Sequence, residues 1–117
     1  MIIEEDFKRL NYNIIGNLTQ FEGELKIKGD TIIAGNFNGT ITVLDNSKIL
    51  IERDAEISAK IFCHDIEVFG KLEGSVQASG TLIVRSSAHL SGKIEAKQLS
   101  IYPGAVLNME GHTPRDE

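Results

Sequence analysis

The stretch GKLEGSVQA, Gly70 to Ala78, decides the fold, because the chain keeps rewriting it. Copies are TQFEGELKI (Thr19 to Ile27), GNFNGTITV (Gly35 to Val43), AEISAKIFC (Ala55 to Cys63) and AHLSGKIEA (Ala88 to Ala96), with a shortened AVLNM from Ala105 to Met109. Their first positions, Thr19, Gly35, Ala55, Gly70, Ala88 and Ala105, are separated by 16, 20, 15, 18 and 17 residues. Six copies at a nearly fixed period are the signature of a solenoid.

A shorter apolar-x-apolar motif lies between the copies. It is read at Ile32-Ile33-Ala34, Ile49-Leu50-Ile51, Ile66-Glu67-Val68, Leu82-Ile83-Val84 and Leu99-Ser100-Ile101, with spacings of 17, 17, 16 and 17. Alternation at period two predicts strands with one buried face. Each repeat is then a short strand, a bend and a longer strand with a small residue at its centre. Only a coil in which each strand stacks on its counterpart in the next turn keeps this register through six copies. The fold expected is all-β, a parallel β-helix of about six turns. Gly23, Gly39, Ala59, Gly74 and Gly92 form a small-residue column, where a larger side chain is expected to strike the core or where the strand bends. The gap of 20 predicts longer corners at Asp45-Asn46-Ser47 and Glu52-Arg53-Asp54, and Pro103-Gly104 reads as a turn.

Composition narrows the function. The chain has 117 residues, a formal net charge of -5 and a single cysteine, Cys63. Such a charge disfavours nucleic acid as a partner. One cysteine forms no internal disulfide and fits a reducing compartment. No apolar run approaches the length of a spanning helix, and no secretory leader is read at the start. His64, His89 and His112 are the only histidines, and no spacing brings two to one metal. With no phosphate loop, nucleophile elbow or paired carboxylates, no catalytic residue, cofactor or metal is expected. The enzyme alternative is a hexapeptide-repeat acyltransferase, which requires a regular period of 18 and a catalytic histidine. The gaps here are irregular, and His89 is the one candidate. A monomeric scaffold that only recruits a partner is the third reading.

The tips of the coil are the expected site of function. A terminal turn leaves an apolar cross-section and a row of backbone groups unpaired, and natural solenoids usually hide both. The sequence offers no evident cap, so another copy is the expected cover. The interface assigned is Ile14, Leu18, Phe21 and Leu25 at one end, and Ile101, Leu107 and Met109 at the other. Ile33, Leu50, Phe69, Ile83 and Tyr102 are read as an outward strip for lateral bundling or a partner. Ile3, Phe7 and Leu10 have the spacing of a short amphipathic helix, a candidate membrane-surface tail beside Lys8 and Arg9. The chain divides into an N-terminal tail (1–13), a β-helix polymerisation domain (14–111) and a C-terminal tail (112–117).

The closing stretch AHLSGKIEAKQLSIYPGAVLNMEG (Ala88 to Gly111), with the apolar-x-Gly-x-apolar repeats before it, resembles the bactofilins, bacterial polymer-forming cytoskeletal proteins. The resemblance spans about Ile14 to Gly111. It implies a right-handed β-helix with short flexible tails that assembles into filaments without nucleotide and without a fixed polarity. It further implies a cytoplasmic homopolymer that shapes the cell or positions cell-wall enzymes and meets the membrane through its N-terminal tail. The Pro-rich and basic tails common in the family are nearly missing here.

Overall fold

A computed structural model describes residues 12–112. Ten strands make one parallel sheet wound on itself: β1 (Tyr12–Ile15), β2 (Gln20–Ile27), β3 (Asp30–Ile33), β4 (Asn36–Val43), β5 (Lys48–Ile51), β6 (Glu56–Cys63), β7 (Asp65–Val68), β8 (Lys71–Val84), β9 (His89–Ile101) and β10 (Val106–His112). Four-residue strands stack on four-residue strands, β1 on β3, β5 and β7. Eight-residue strands stack likewise, β2 on β4 and β6. β8 and β9 each run through a long and a short segment, so the short strands also number six. The coil is a β-solenoid of about six turns, as the period predicts. Within the described residues it runs from Tyr12 to His112.

Stacking in parallel register makes every interior position a column. Phe37, Ile57, Leu72 and Leu90 form one, and Ile41, Ile61, Val76 and Ile94 another; all are buried. β-branched side chains suit this arrangement, because they pack well on a pleated surface. Three of the wide corners close as hydrogen-bonded turns, with Ala55, Ala88 and Ala105 N–H donating to Glu52, Arg85 and Tyr102 carbonyls at 3.1, 3.0 and 3.3 Å. The Pro103-Gly104 corner is the last of these, and Gly104 supplies the positive φ of 103°.

Two expectations are corrected here. Ile33, assigned to the outward strip, is fully buried, and Ile32 faces outward in its place. The paired residues Thr31↔Ile49, Ile32↔Leu50 and Ile33↔Ile51 show that the short motif starts at Thr31. Alternation misleads here because the interior position is held by a threonine, 1 % exposed, whose hydroxyl is satisfied. Thr31 Oγ1 donates to the Gly29 carbonyl at 3.2 Å and accepts from Asn13 Nδ2 at 3.2 Å. The same one-residue slip moves Ile14. It pairs with Ile32 and is 65 % exposed on the outer face, whereas Ile15 packs against the core.

The small column is also different from the expectation in one respect. Gly23, Gly39, Gly74 and Gly92 have φ between 123° and 145°, a bend within the long strand. A Cβ on Gly39, Gly74 or Gly92 would overlap the carbonyl oxygen of the same column in the preceding turn. The obstacle is neighbouring backbone rather than the core.

Candidate assembly surfaces

The two ends are built alike. β1 and β2 pair on one side only, with β3 and β4, and β10 pairs only with β9. Among the described residues each end therefore presents unpaired backbone donors and acceptors, the template on which another strand can add. At the N-terminal end Phe21 lies flat on Phe37, ring centroids 4.9 Å apart and planes 4° from parallel. That spacing is one strand repeat, and among the described residues no side chain continues the aromatic column beyond half-buried Phe21. Leu25 packs half-buried against the core in the column of Ile41, and Leu18, in the first corner, is 95 % exposed.

At the C-terminal end Leu107 stacks on Leu90 in an interior column yet is 37 % exposed, and Ile101, stacked on Val84, is 46 % exposed. Met109 sits in register with Gly92, in the small column. Phe21, Leu25, Leu107 and Ile101 are thus interior positions laid open by the end of the coil. Ile14 and Leu18 are not, although both are exposed. The ends also differ in polarity. Asn13 and Thr31 hold the first two places of a column that continues as Ile49, Ile66, Leu82 and Leu99, so the N-terminal rim is polar on that side.

The outer face of the short strands carries Ile14, Ile32, Leu50, Glu67, Ile83 and Ser100 in one line. Its middle is ionic. Glu67 is 5 % exposed, with Lys48 Nζ at 2.6 Å and Arg85 Nε at 2.5 Å on its two oxygens. Arg85 in turn lies between the rings of Phe69 and Tyr102, at 5.6 and 4.4 Å. Of the expected strip residues, Leu50, Phe69, Ile83 and Tyr102 do share this face. The ion-pair network was not legible, because its members are 18 and 19 residues apart and meet only through stacking.

Burial alone would push the Glu67 carboxyl up, but hydrogen bonds and charge from Lys48 and Arg85 outweigh it and hold the pKa below the ordinary value of 4.5. A carboxyl depressed in the folded state stabilises above its unfolded pKa, and that contribution fades as pH falls through the folded value. The Tm of the natural protein should therefore fall more steeply than that of Glu67→Gln as pH drops below about 4.5. Parallel Tm curves in that range would remove the network from the acid response.

The remaining chemistry-bearing residues do not converge. His64 Nδ1 lies 3.0 Å from Ser79 Oγ at a corner, and His89 faces solvent. Cys63 is buried, and burial, aided by Asp65, pushes its thiol up to about 12. Among the described residues no three His, Cys, Asp or Glu side chains gather as a metal site. No helix among them is long and apolar enough to cross a membrane. Ile3, Phe7 and Leu10 lie outside the described residues.

A parallel solenoid whose terminal strands lack an outer partner among the described residues, with interior side chains laid open at both tips, defines a class of repeat protein that another strand can extend. The sequence profile of the bactofilins, described as polymer-forming cytoskeletal, matches residues 13–112, and the chain belongs to that family. It is 25% identical over 92 residues to Bactofilin BacO of Myxococcus xanthus (strain DK1622), covering 79% of this chain and 71% of that protein. No solved structure gives a significant match.

Proposed function

We propose that this protein is a structural, non-enzymatic filament former whose copies stack end to end without nucleotide. The observation that carries the reading is the pair of tips, where Phe21 and Leu107 are the last members of interior columns among the described residues. Covering them continues both the hydrophobic column and the hydrogen-bond ladder. Membership of a polymer-forming family supports self-association, and the relative's name, Bactofilin BacO, accords with it. The filament acts as a cytoplasmic scaffold for cell shape, with cell-wall enzymes and the membrane as partners. The face bearing Leu50, Phe69, Ile83 and Tyr102 is the surface proposed for those partners, and the Ile3, Phe7 and Leu10 segment for the membrane.

Negative-stain microscopy and pelleting of the purified protein test the central claim. Filaments should form in nucleotide-free buffer and be unchanged by added ATP or GTP. A solitary molecule at high concentration, by sedimentation velocity, would overturn the proposal.

A further inference from the structure

The two interior positions of each long strand stand four residues apart, because the strand bends near its centre. Phe37 and Ile41, Ile57 and Ile61, Leu72 and Val76, and Leu90 and Ile94 are such pairs, all buried. Phe21 and Leu25 are the pair at the N-terminal tip, half-buried, with no long strand before them among the described residues. Ile3 and Phe7 have the same spacing. A separation of four, which marks a helix in an isolated segment, is in this fold also the mark of a long strand.

The register agrees with that. β1 stacks on β3 with Tyr12 on Asp30. Counting back from this pair sets Asn11 at the place of Gly29, Arg9 at Ile27, Phe7 at Leu25 and Ile3 at Phe21. Leu10-Asn11 is then a corner of the same length as Lys28-Gly29, the link between β2 and β3. Gly29 has a φ of 91°, and asparagine is among the residues that best tolerate that region after glycine. Glu4, Asp6 and Lys8 match Glu22, Glu24 and Lys26, which are exposed. Glu5 falls in the small column, where a Cβ strikes the carbonyl of the preceding turn, and an outermost strand has no such turn before it. Ala59 shows that the column admits a residue without positive φ. A charge at this place also blunts the new edge against further strands.

We infer that residues 2–9 add to β2 in parallel as a further long strand and cover the N-terminal tip of their own molecule. Ile3 lies over Phe21 and Phe7 over Leu25, each continuing an interior column by one place. The backbone of β2 gains a partner on its outer side. The cover is weak, because Glu4, Asp6 and Lys8 each stand over a residue of their own charge, and another molecule can displace it. On the end-stacking reading, on which this consequence rests, the segment and a second copy compete for one tip. The segment then sets the concentration at which filaments start. A membrane surface draws on the same Ile3 and Phe7, so a molecule held there through them has its tip free.

Disulfide trapping in the full chain, below the concentration at which it assembles, tests the docking. Glu4→Cys with Glu22→Cys sets two outward thiols on strands about 5 Å apart, within reach of a disulfide. Glu4→Cys with Lys26→Cys sets them about 10 Å apart or more, out of reach. Buried Cys63 does not compete. Under mild oxidation the first pair should close within one molecule at least about tenfold faster than the second. Equal rates, or covalent dimers in place of the closed monomer, would overturn the inference. The competition is read by pelleting Phe7→Arg without lipid. A cation at that interior place should lift the segment and lower the critical concentration at least about fivefold, the reverse of Phe21→Arg. An unchanged or raised critical concentration would overturn the competition. The two readings fail separately. Absence of filaments from every variant removes end stacking, and the disulfide still decides whether the segment covers the tip.

Discussion

Leu107→Arg is expected to convert the filaments into short soluble species while leaving the coil folded. Leu107 is already 37 % exposed in the isolated molecule, so an arginine there keeps its guanidinium in water. In a stack the same position becomes interior, continuing the column of Leu72 and Leu90. Burying an unpaired cation costs several kcal/mol, and about 1.4 kcal/mol is a factor of ten in association. The critical concentration for assembly should therefore rise about a hundredfold or more, read by pelleting. Phe21→Arg should act in the same way, because the free face of that ring is where the aromatic column would continue. The size of what remains reports the polarity of the filament. If like ends meet, Leu107→Arg leaves dimers joined through intact N-terminal tips, and only the two substitutions together give monomers. If unlike ends meet, either substitution alone gives monomers, since every contact uses both tips. Filaments of unchanged length from the Leu107→Arg protein would refute the placing of the interface.

Much of this architecture is legible in the sequence, and the reason is geometric. In a parallel stack each residue meets its counterpart about one period away, so the columns of the core are the columns of an internal alignment. Leu72, Val76, Leu90 and Ile94 could be placed inside from their spacing alone. The reading failed where two isoleucines stand side by side, at Ile14-Ile15 and Ile32-Ile33. Either one satisfies an alternating pattern there, and the correct choice places a threonine in the interior. The bonded hydroxyl of Thr31 makes that choice acceptable, and no hydropathy pattern contains the bond. The burial of Glu67 was not legible for a related reason. It points outward, as expected, but Lys48 and Arg85 from the adjoining turns close over it. The longer corner at residues 44–47 was legible as a gap of 20.

The small column gives the sharpest test of the packing, because one substitution meets different surroundings at different turns. Gly74→Ala and Gly92→Ala place a methyl group where the carbonyl oxygen of the preceding turn already sits, on backbone with φ of 131° and 123°. Dihedral strain of that kind costs about 1–3 kcal/mol, and parting two hydrogen-bonded turns to admit the methyl adds about as much again. Gly23→Ala has the same strain, with a φ of 136°, but its nearest neighbour is the Phe21 ring at 3.8 Å, since no long strand precedes it among the described residues. Circular-dichroism melting should thus rank Gly74→Ala well below Gly23→Ala in Tm. Ala59, in the same column, does not have a positive φ, and Ala59→Gly should cost only about 0.5–1 kcal/mol. Equal losses at Gly23 and Gly74 would show that strain alone governs the column. Assembly should reverse the order. The open space before Gly23 is where the backbone of the next copy must lie if the coil is continued across that tip, so Gly23→Ala, the gentler change for the single molecule, should be the one that weakens stacking there.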